Sequence, residues 1–176
     1  MKHKIFNVFA STAIVLTVLT SCATVQKTNY LTEEKSNEKY LKGIINKSIL
    51  DADSNYIWLS RDMKYTKANE AAVATFKQQK SKFKLVVFGG TWCEDTHNLL
   101  PKFYKLIEKS EYPEKNILLI AVDKNKQTIN DLHNKYNVKQ VPTFIVMQGD
   151  KEIGRVVEYG KYNDIEKELA EIVSKL

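Results

Sequence analysis

The strongest constraint on the fold is only six residues long. Residues 83–88, Phe-Lys-Leu-Val-Val-Phe, form a short apolar run rich in β-branched and aromatic side chains, as in a strand buried in the middle of a sheet. The run breaks at Gly89-Gly90-Thr91, and Trp92-Cys93 opens a helical stretch reaching about Ser110. Residues 117–122 read as a second buried strand and residues 128–136 as a helix. Residues 144–147 and 152–159 flank Gln148-Gly149-Asp150-Lys151, a hairpin signature. Residues 162–176 close the chain as an amphipathic helix with Ile165, Leu169, Ile172, Val173 and Leu176 on one face. Upstream, Thr66 or Asn69 can cap a helix running to about Lys80, with Ala72, Val73 and Phe76 inward. Parallel strands joined by right-handed crossovers, followed by an antiparallel hairpin, make a small α/β sandwich.

The first 65 residues follow a different logic. Lys2, His3 and Lys4 precede an uncharged apolar stretch from Ile5 to Leu19. At about fifteen residues it is short for a membrane span, which needs about twenty, and suits the core of an export signal. It ends in Leu19-Thr20-Ser21-Cys22, which resembles the bacterial lipoprotein signal. The resemblance implies a signal peptide over residues 1–21, cleavage before Cys22 and acylation of the Cys22 thiol. Ala23 follows rather than Asp, so the expected address is the outer membrane, with the protein facing the periplasm. Residues 22–36 are polar and aperiodic, as a lipidated tether would be. Residues 37–65 form an N-terminal extension. In it, Tyr40, Leu41, Ile44, Ile45 and Ile49 predict an amphipathic helix over residues 37–50 despite Gly43. Asp51-Ala-Asp-Ser-Asn reads as a loop and residues 56–65 as an extended segment.

Charge narrows the partners. The formal net charge of +6 falls to +4 when Lys2 and Lys4 leave with the signal, and the remaining Lys residues are spread along the chain among Glu. That is a solvated surface with a weak attraction for anionic lipid or acidic partners, and no motif for nucleic acid accompanies it. Two cysteines are present. With Cys22 assigned to lipid, Cys93 is the one free thiol of the mature chain, and no internal disulfide can form.

Four landmarks in order make residues 66–176 resemble the thioredoxin family. They are the strand-to-turn run Val86-Val-Phe-Gly-Gly-Thr-Trp92-Cys93; Pro101, eight residues after Cys93; Val141-Pro142-Thr143 before a strand; and Gly160 after the hairpin. The resemblance implies a three-layer sandwich, a central mixed sheet flanked by helices, here with an N-terminal helical extension. It implies a nucleophilic Cys93 beside Trp92, a helix kinked at Pro101, and a cis-Pro142 loop whose Val141 backbone meets an extended substrate. Physically, a cysteine at a helix N-terminus meets the positive end of the macrodipole and unpaired N–H groups, which favour the thiolate.

The departures are as informative. The family's Cys-x-x-Cys is here Cys93-Glu94-Asp95-Thr96, and Val87 stands where many thioredoxins bury an Asp. Thr96 cannot resolve a mixed disulfide, but on the same helix face it can donate a hydrogen bond to the thiolate. Glu94 and Asp95 suit the first turn, yet oppose a nearby thiolate. Asp95 and His97 are further site candidates; His97, four residues after Cys93, can relay a proton, while His133 among polar neighbours reads as surface. The His and Cys spacing matches no metal site, and no cofactor is expected. The expected activity is a monothiol thiol–disulfide oxidoreductase or isomerase of the envelope, acting on proteins with disulfides or thiols or with an external thiol reductant. The alternative is a non-redox lipoprotein that holds peptides or partners at the cis-Pro groove.

Overall fold

The structure, a computed structural model, describes residues 27–35 and 38–176. Cys22 and the expected signal peptide lie outside them, and no helix among the described residues is long and apolar enough to cross a membrane. Six strands form one sheet: β1 (Asn29–Lys35), β2 (Glu38–Ile45), β3 (Lys84–Gly89), β4 (Ile117–Ala121), β5 (Thr143–Gln148) and β6 (Lys151–Val157), in the order β1-β2-β4-β3-β5-β6. Only β3 and β4 are parallel; every other neighbouring pair is antiparallel. The mixed sheet flanked by helices expected from the resemblance is present.

Alternation along β3 explains the layering. Leu85 and Val87 point into one core, with Leu119, Phe144 and Val146. Covering it are α2 (Trp58–Met63), α3 (Glu70–Gln79), α4 (Glu94–Ser110) and α6 (Ile165–Val173). Val86 and Phe88 point the other way, into a smaller core with Ile120, Val122, Val138, Val141 and Ile145. That side is covered by α5 (Leu132–Lys135), a single turn where the sequence predicts a helix over residues 128–136. Asn130 and Asp131 adopt positive φ just before it, which confines regular α-helix to the last part of that stretch. Of the two cap candidates for α3, Asn69 serves: its side chain accepts from the backbone N–H of Ala72 at 3.2 Å.

The extension differs most from expectation. The helix over residues 37–50 is instead β2 followed by the short α1 (Lys47–Asp51), and part of the polar stretch read as a tether is β1. β1 and β2 make an antiparallel hairpin, and β2 docks on the free edge of β4 through Gly43↔Ala121, Ile44↔Ile120 and Ile45↔Leu119. The same apolar residues fit both periods, since Leu41, Gly43 and Ile45 alternate inward along a strand. Gly43 decides between them. Its φ is +130°, far from helical, and a Cβ there would fall 2.4 Å from the carbonyl oxygen of Asn29. Residues 56–65, expected as extended, instead contain α2, whose Trp58, Leu59 and Met63 are buried. Packing against α4 outweighs the extended preference of aromatic and β-branched residues.

Candidate active site

Sheet register builds the site. β3 ends at Gly89, and its pairing with β5 places Phe88 opposite Thr143. The Val141-Pro142 segment that precedes β5 therefore lies beside the turn that follows β3. The Val141–Pro142 peptide is cis, as the resemblance implies. Between β3 and α4 the chain turns tightly, with the Cys93 N–H donating to Gly90 O at 2.9 Å. Cys93 is the N-cap of α4 in extended conformation, and its side chain makes no cap hydrogen bond. The sulfur is thus left at the positive end of a 17-residue helix. Cys93 is half-buried, and its Sγ lies 3.5 Å from Val141 O, to which the thiol donates.

Trp92 flanks the thiol. Its indole Nε1 donates to Val122 O at 2.9 Å, and Lys126 Nζ lies 5.8 Å from the ring centroid, within cation–π range. Gly90 is required by this arrangement: a Cβ there would meet the Trp92 ring at 2.7 Å. Pro101 sits buried inside α4 and lacks the N–H that would serve the His97 carbonyl. Val87 is fully buried in the larger core.

Three candidates have other partners than Cys93. Thr96 is buried, and its hydroxyl oxygen accepts from the Gly90 N–H at 3.1 Å; no hydrogen bond joins it to Cys93. His97 turns toward Thr91, with Nε2 2.8 Å from the Thr91 carbonyl oxygen, and its ring stacks on Trp58 at 4.2 Å between centroids and 27° between planes. A carbonyl only accepts, so Nε2 carries the proton. Asp95 accepts from the Tyr159 hydroxyl at 2.9 Å, while Asn98 Nδ2 donates to the same hydroxyl at 3.3 Å. The Asn98 amide favours the Tyr159 phenolate, but the Asp95 carboxylate and burial outweigh it and raise that hydroxyl above its ordinary value. Glu94 is exposed. His133 serves its own loop, where Nδ1 accepts from the Thr128 N–H at 3.4 Å.

Sequence reasoning missed Thr91, Leu41 and Trp58. Thr91 Oγ1 accepts from the backbone N–H of Leu41 in β2 at 3.0 Å. Nothing local marks such a contact between residues fifty positions apart. Asp123, after β4, ties the hairpin to the same region through Lys42 Nζ at 2.6 Å. Burial alone would raise the Asp123 carboxyl, but Lys42 and the backbone N–H groups of Gln127 and Asn125 outweigh it and hold it below its ordinary value. Among the described residues, no three His, Cys, Asp or Glu side chains converge as a metal site would require.

Residues 65–171, more than half of the chain, match the thioredoxin family model. The chain belongs to the thioredoxin family. Thioredoxin H5 of Oryza sativa subsp. japonica is 29% identical over 94 residues, covering 53% of this chain and 64% of that protein. A probable protein disulfide-isomerase ER-60 of Schistosoma mansoni is 38% identical over 88 residues, covering 49% of this chain and 17% of its own. The chain thus spans less than two thirds of either relative. A solved protein of unknown function from Pseudomonas aeruginosa shares the fold at TM-score 0.52 and 16% identity, covering 73% of this chain and 90% of that one. All four thioredoxin landmarks named from the sequence lie within the matched segment.

Proposed function

We propose that this thioredoxin-family chain is a thiol–disulfide exchange protein working through the single thiol Cys93. The observation that carries the reading is the position of the sulfur: half-exposed, at the N-cap of a long helix, beside the Val141 carbonyl of the cis-Pro142 loop. The Cys93 thiolate attacks one sulfur of a substrate disulfide, forming a Cys93–substrate disulfide and releasing the other sulfur as a thiolate. An external thiol then attacks that mixed disulfide, leaves bonded to the substrate sulfur and returns Cys93 as thiolate. The external thiol is needed because Thr96 stands at the resolving position, and a hydroxyl cannot close an internal disulfide. The Val141 backbone, aimed at the thiol, is the feature that would align an extended substrate segment.

The proposal includes an address. The Leu19-Thr20-Ser21-Cys22 sequence supports a lipid anchor on Cys22 and a position in the bacterial envelope, facing the periplasm from the outer membrane. The substrates would then be envelope proteins carrying disulfides or thiols. A second reading, a partner-binding lipoprotein without redox turnover, is favoured by one observation: Thr96 is built into the fold as an acceptor for Gly90 and supplies no second thiol.

The deciding measurement is the alkylation rate of Cys93 at pH 7 against a reference peptide cysteine, with Cys93→Ser as blank. A free thiol of pKa about 8.5 is only about 3% thiolate at that pH. The exchange reading expects alkylation about tenfold faster or more, together with mixed disulfides that a reductant dissolves. A rate at or below the reference, with a partner still bound non-covalently, would replace it with the second reading.

A further inference from the structure

The turn that presents Cys93 is held by residues lying before the segment shared with the family. Leu41 N in β2 donates to Thr91 Oγ1 at 3.0 Å, a buried contact. His97 Nε2 donates to Thr91 O at 2.8 Å, while its own backbone N–H donates to Cys93 O at 3.0 Å. One residue therefore takes the carbonyls at both Thr91 and Cys93 and spans the turn between them. Behind His97 stands Trp58 of α2, stacked ring on ring.

Trp58 is 7% exposed, and its Nε1, like the hydroxyl of buried Tyr56, has no hydrogen-bond partner among the described residues. A buried donor left unpaired is destabilising. A hydrogen bond therefore does not account for tryptophan at this position. Its ring instead serves by packing, within the larger core and face to face with His97.

We infer that Trp58 and His97 are positioning residues for Cys93, and that the N-terminal extension acts as a brace fixing the Thr91–Cys93 backbone at the start of α4. The inference rests on the exchange reading of Cys93. Helix-terminus stabilisation of a thiolate falls off within one turn, so it depends on the orientation of the first N–H groups relative to the sulfur. With Thr91 O released, the Thr91–Trp92 peptide loses the one hydrogen bond that fixes its carbonyl direction. The sulfur then loses its alignment both with those N–H groups and with Val141 O. His97 acts on the thiol through the backbone and touches no substrate.

The test uses the full chain and iodoacetamide at pH 7 and pH 10, with the Cys93→Ser form as the blank for Cys22 and thermal unfolding measured alongside. His97→Phe keeps a ring against Trp58 and removes the donor to Thr91 O. Trp58→Ala removes the ring. His97→Gln retains a side-chain N–H, and Trp58→Phe retains an aromatic face. Alkylation at pH 7 should fall about threefold or more in H97F and W58A as the helix-terminus alignment of the sulfur is lost. It should converge with the unsubstituted chain at pH 10, above the ordinary range of a cysteine thiol. H97Q and W58F should recover most of the rate. Deleting a buried ring leaves a cavity that can unfold a core, so if W58A fails to fold, the H97F and H97Q pair carries the test.

Unchanged rates in folded H97F overturn the brace while leaving rapid alkylation of the parent chain, and so the exchange reading, in place. Slowing equal at both pH values also overturns it, since that reports altered access rather than thiolate stabilisation. A parent chain no faster than the reference peptide removes the exchange reading itself, and the brace with it.

Discussion

Replacing Thr96 with valine separates the two roles open to its hydroxyl. Thr96 is 1% exposed and stands at the position of the family's second cysteine, with Oγ1 3.1 Å from Gly90 N. Valine has nearly the same shape but cannot accept that bond, so a buried N–H loses its partner at a cost of about 1–3 kcal/mol. Burying a methyl in place of a hydroxyl returns about 0.5–2 kcal/mol. The expected net loss is about 1 kcal/mol. For a chain of 176 residues that lowers Tm by roughly 2–4 °C. Thr96→Ser, which keeps the acceptor and gives up one methyl near Gly89, separates lost packing from the lost bond. Differential scanning calorimetry of all three forms, each also carrying Cys93→Ser so that thiol chemistry does not intrude, makes the comparison. If Thr96→Val unfolds at or above the parent temperature, the hydroxyl is not a structural acceptor. Slowed alkylation in a Thr96→Val chain that keeps Cys93 would then return Thr96 to service of the thiolate.

Two further outcomes concern the hairpin. Gly43→Ala must place a side chain at φ +130° against the Asn29 backbone, a strain of at least about 1–3 kcal/mol; urea unfolding with a midpoint equal to the parent's would contradict the β2 register. The second outcome is acid-dependent. The side chain of Lys39 and the N–H groups of Asn55 hold the Asp53 carboxyl at about 2, and Asp123 is also held below its ordinary value. A carboxyl lowered by folding stabilises the native state above its unfolded pKa, and that contribution disappears as pH falls through the folded one. The contribution of these two carboxyls should therefore be level above about pH 4 and be lost toward about pH 2. Asp53→Asn combined with Asp123→Asn should flatten that decline, and a double variant with an unaltered acid profile would assign the loss elsewhere.

The parts of the fold legible from sequence were those whose signal is local or doubly enforced. Residues 83–88 announce a strand because both faces are buried, and a helix start follows because Gly-Gly cannot prolong the apolar run. The Val141–Pro142 loop was legible through the resemblance, and register brings it to Cys93. The hairpin was not, because its residues satisfy helical and strand spacing together, and the choice is settled by the Gly43 backbone and the edge of β4 on which β2 docks. β1 was less visible still: mostly exposed, it is a strand through its pairing rather than through burial. The fates of Thr96 and His97 depended on which neighbour claims each polar atom. On a helix both share a face with Cys93, as expected, yet the Gly90 N–H and the Thr91 carbonyl claim them first. Those claimants are fixed by the turn and by the distant Leu41 and Trp58, which spacing within one helix cannot reveal.

The way β2 closes the edge of β4 has a consequence for where the molecule divides. Leu41, Ile45, Leu50, Leu59 and Met63 belong to the same apolar cluster as Phe103 and Phe144, although all five precede the segment the family shares. A fragment excised at that border would bare one margin of β4 and strip hydrophobic cover from α4, inviting self-association through the open strand. The border of the family match therefore runs through one continuous apolar core. A graft of the shared portion alone into another protein would carry the thiol but leave behind part of what keeps it folded.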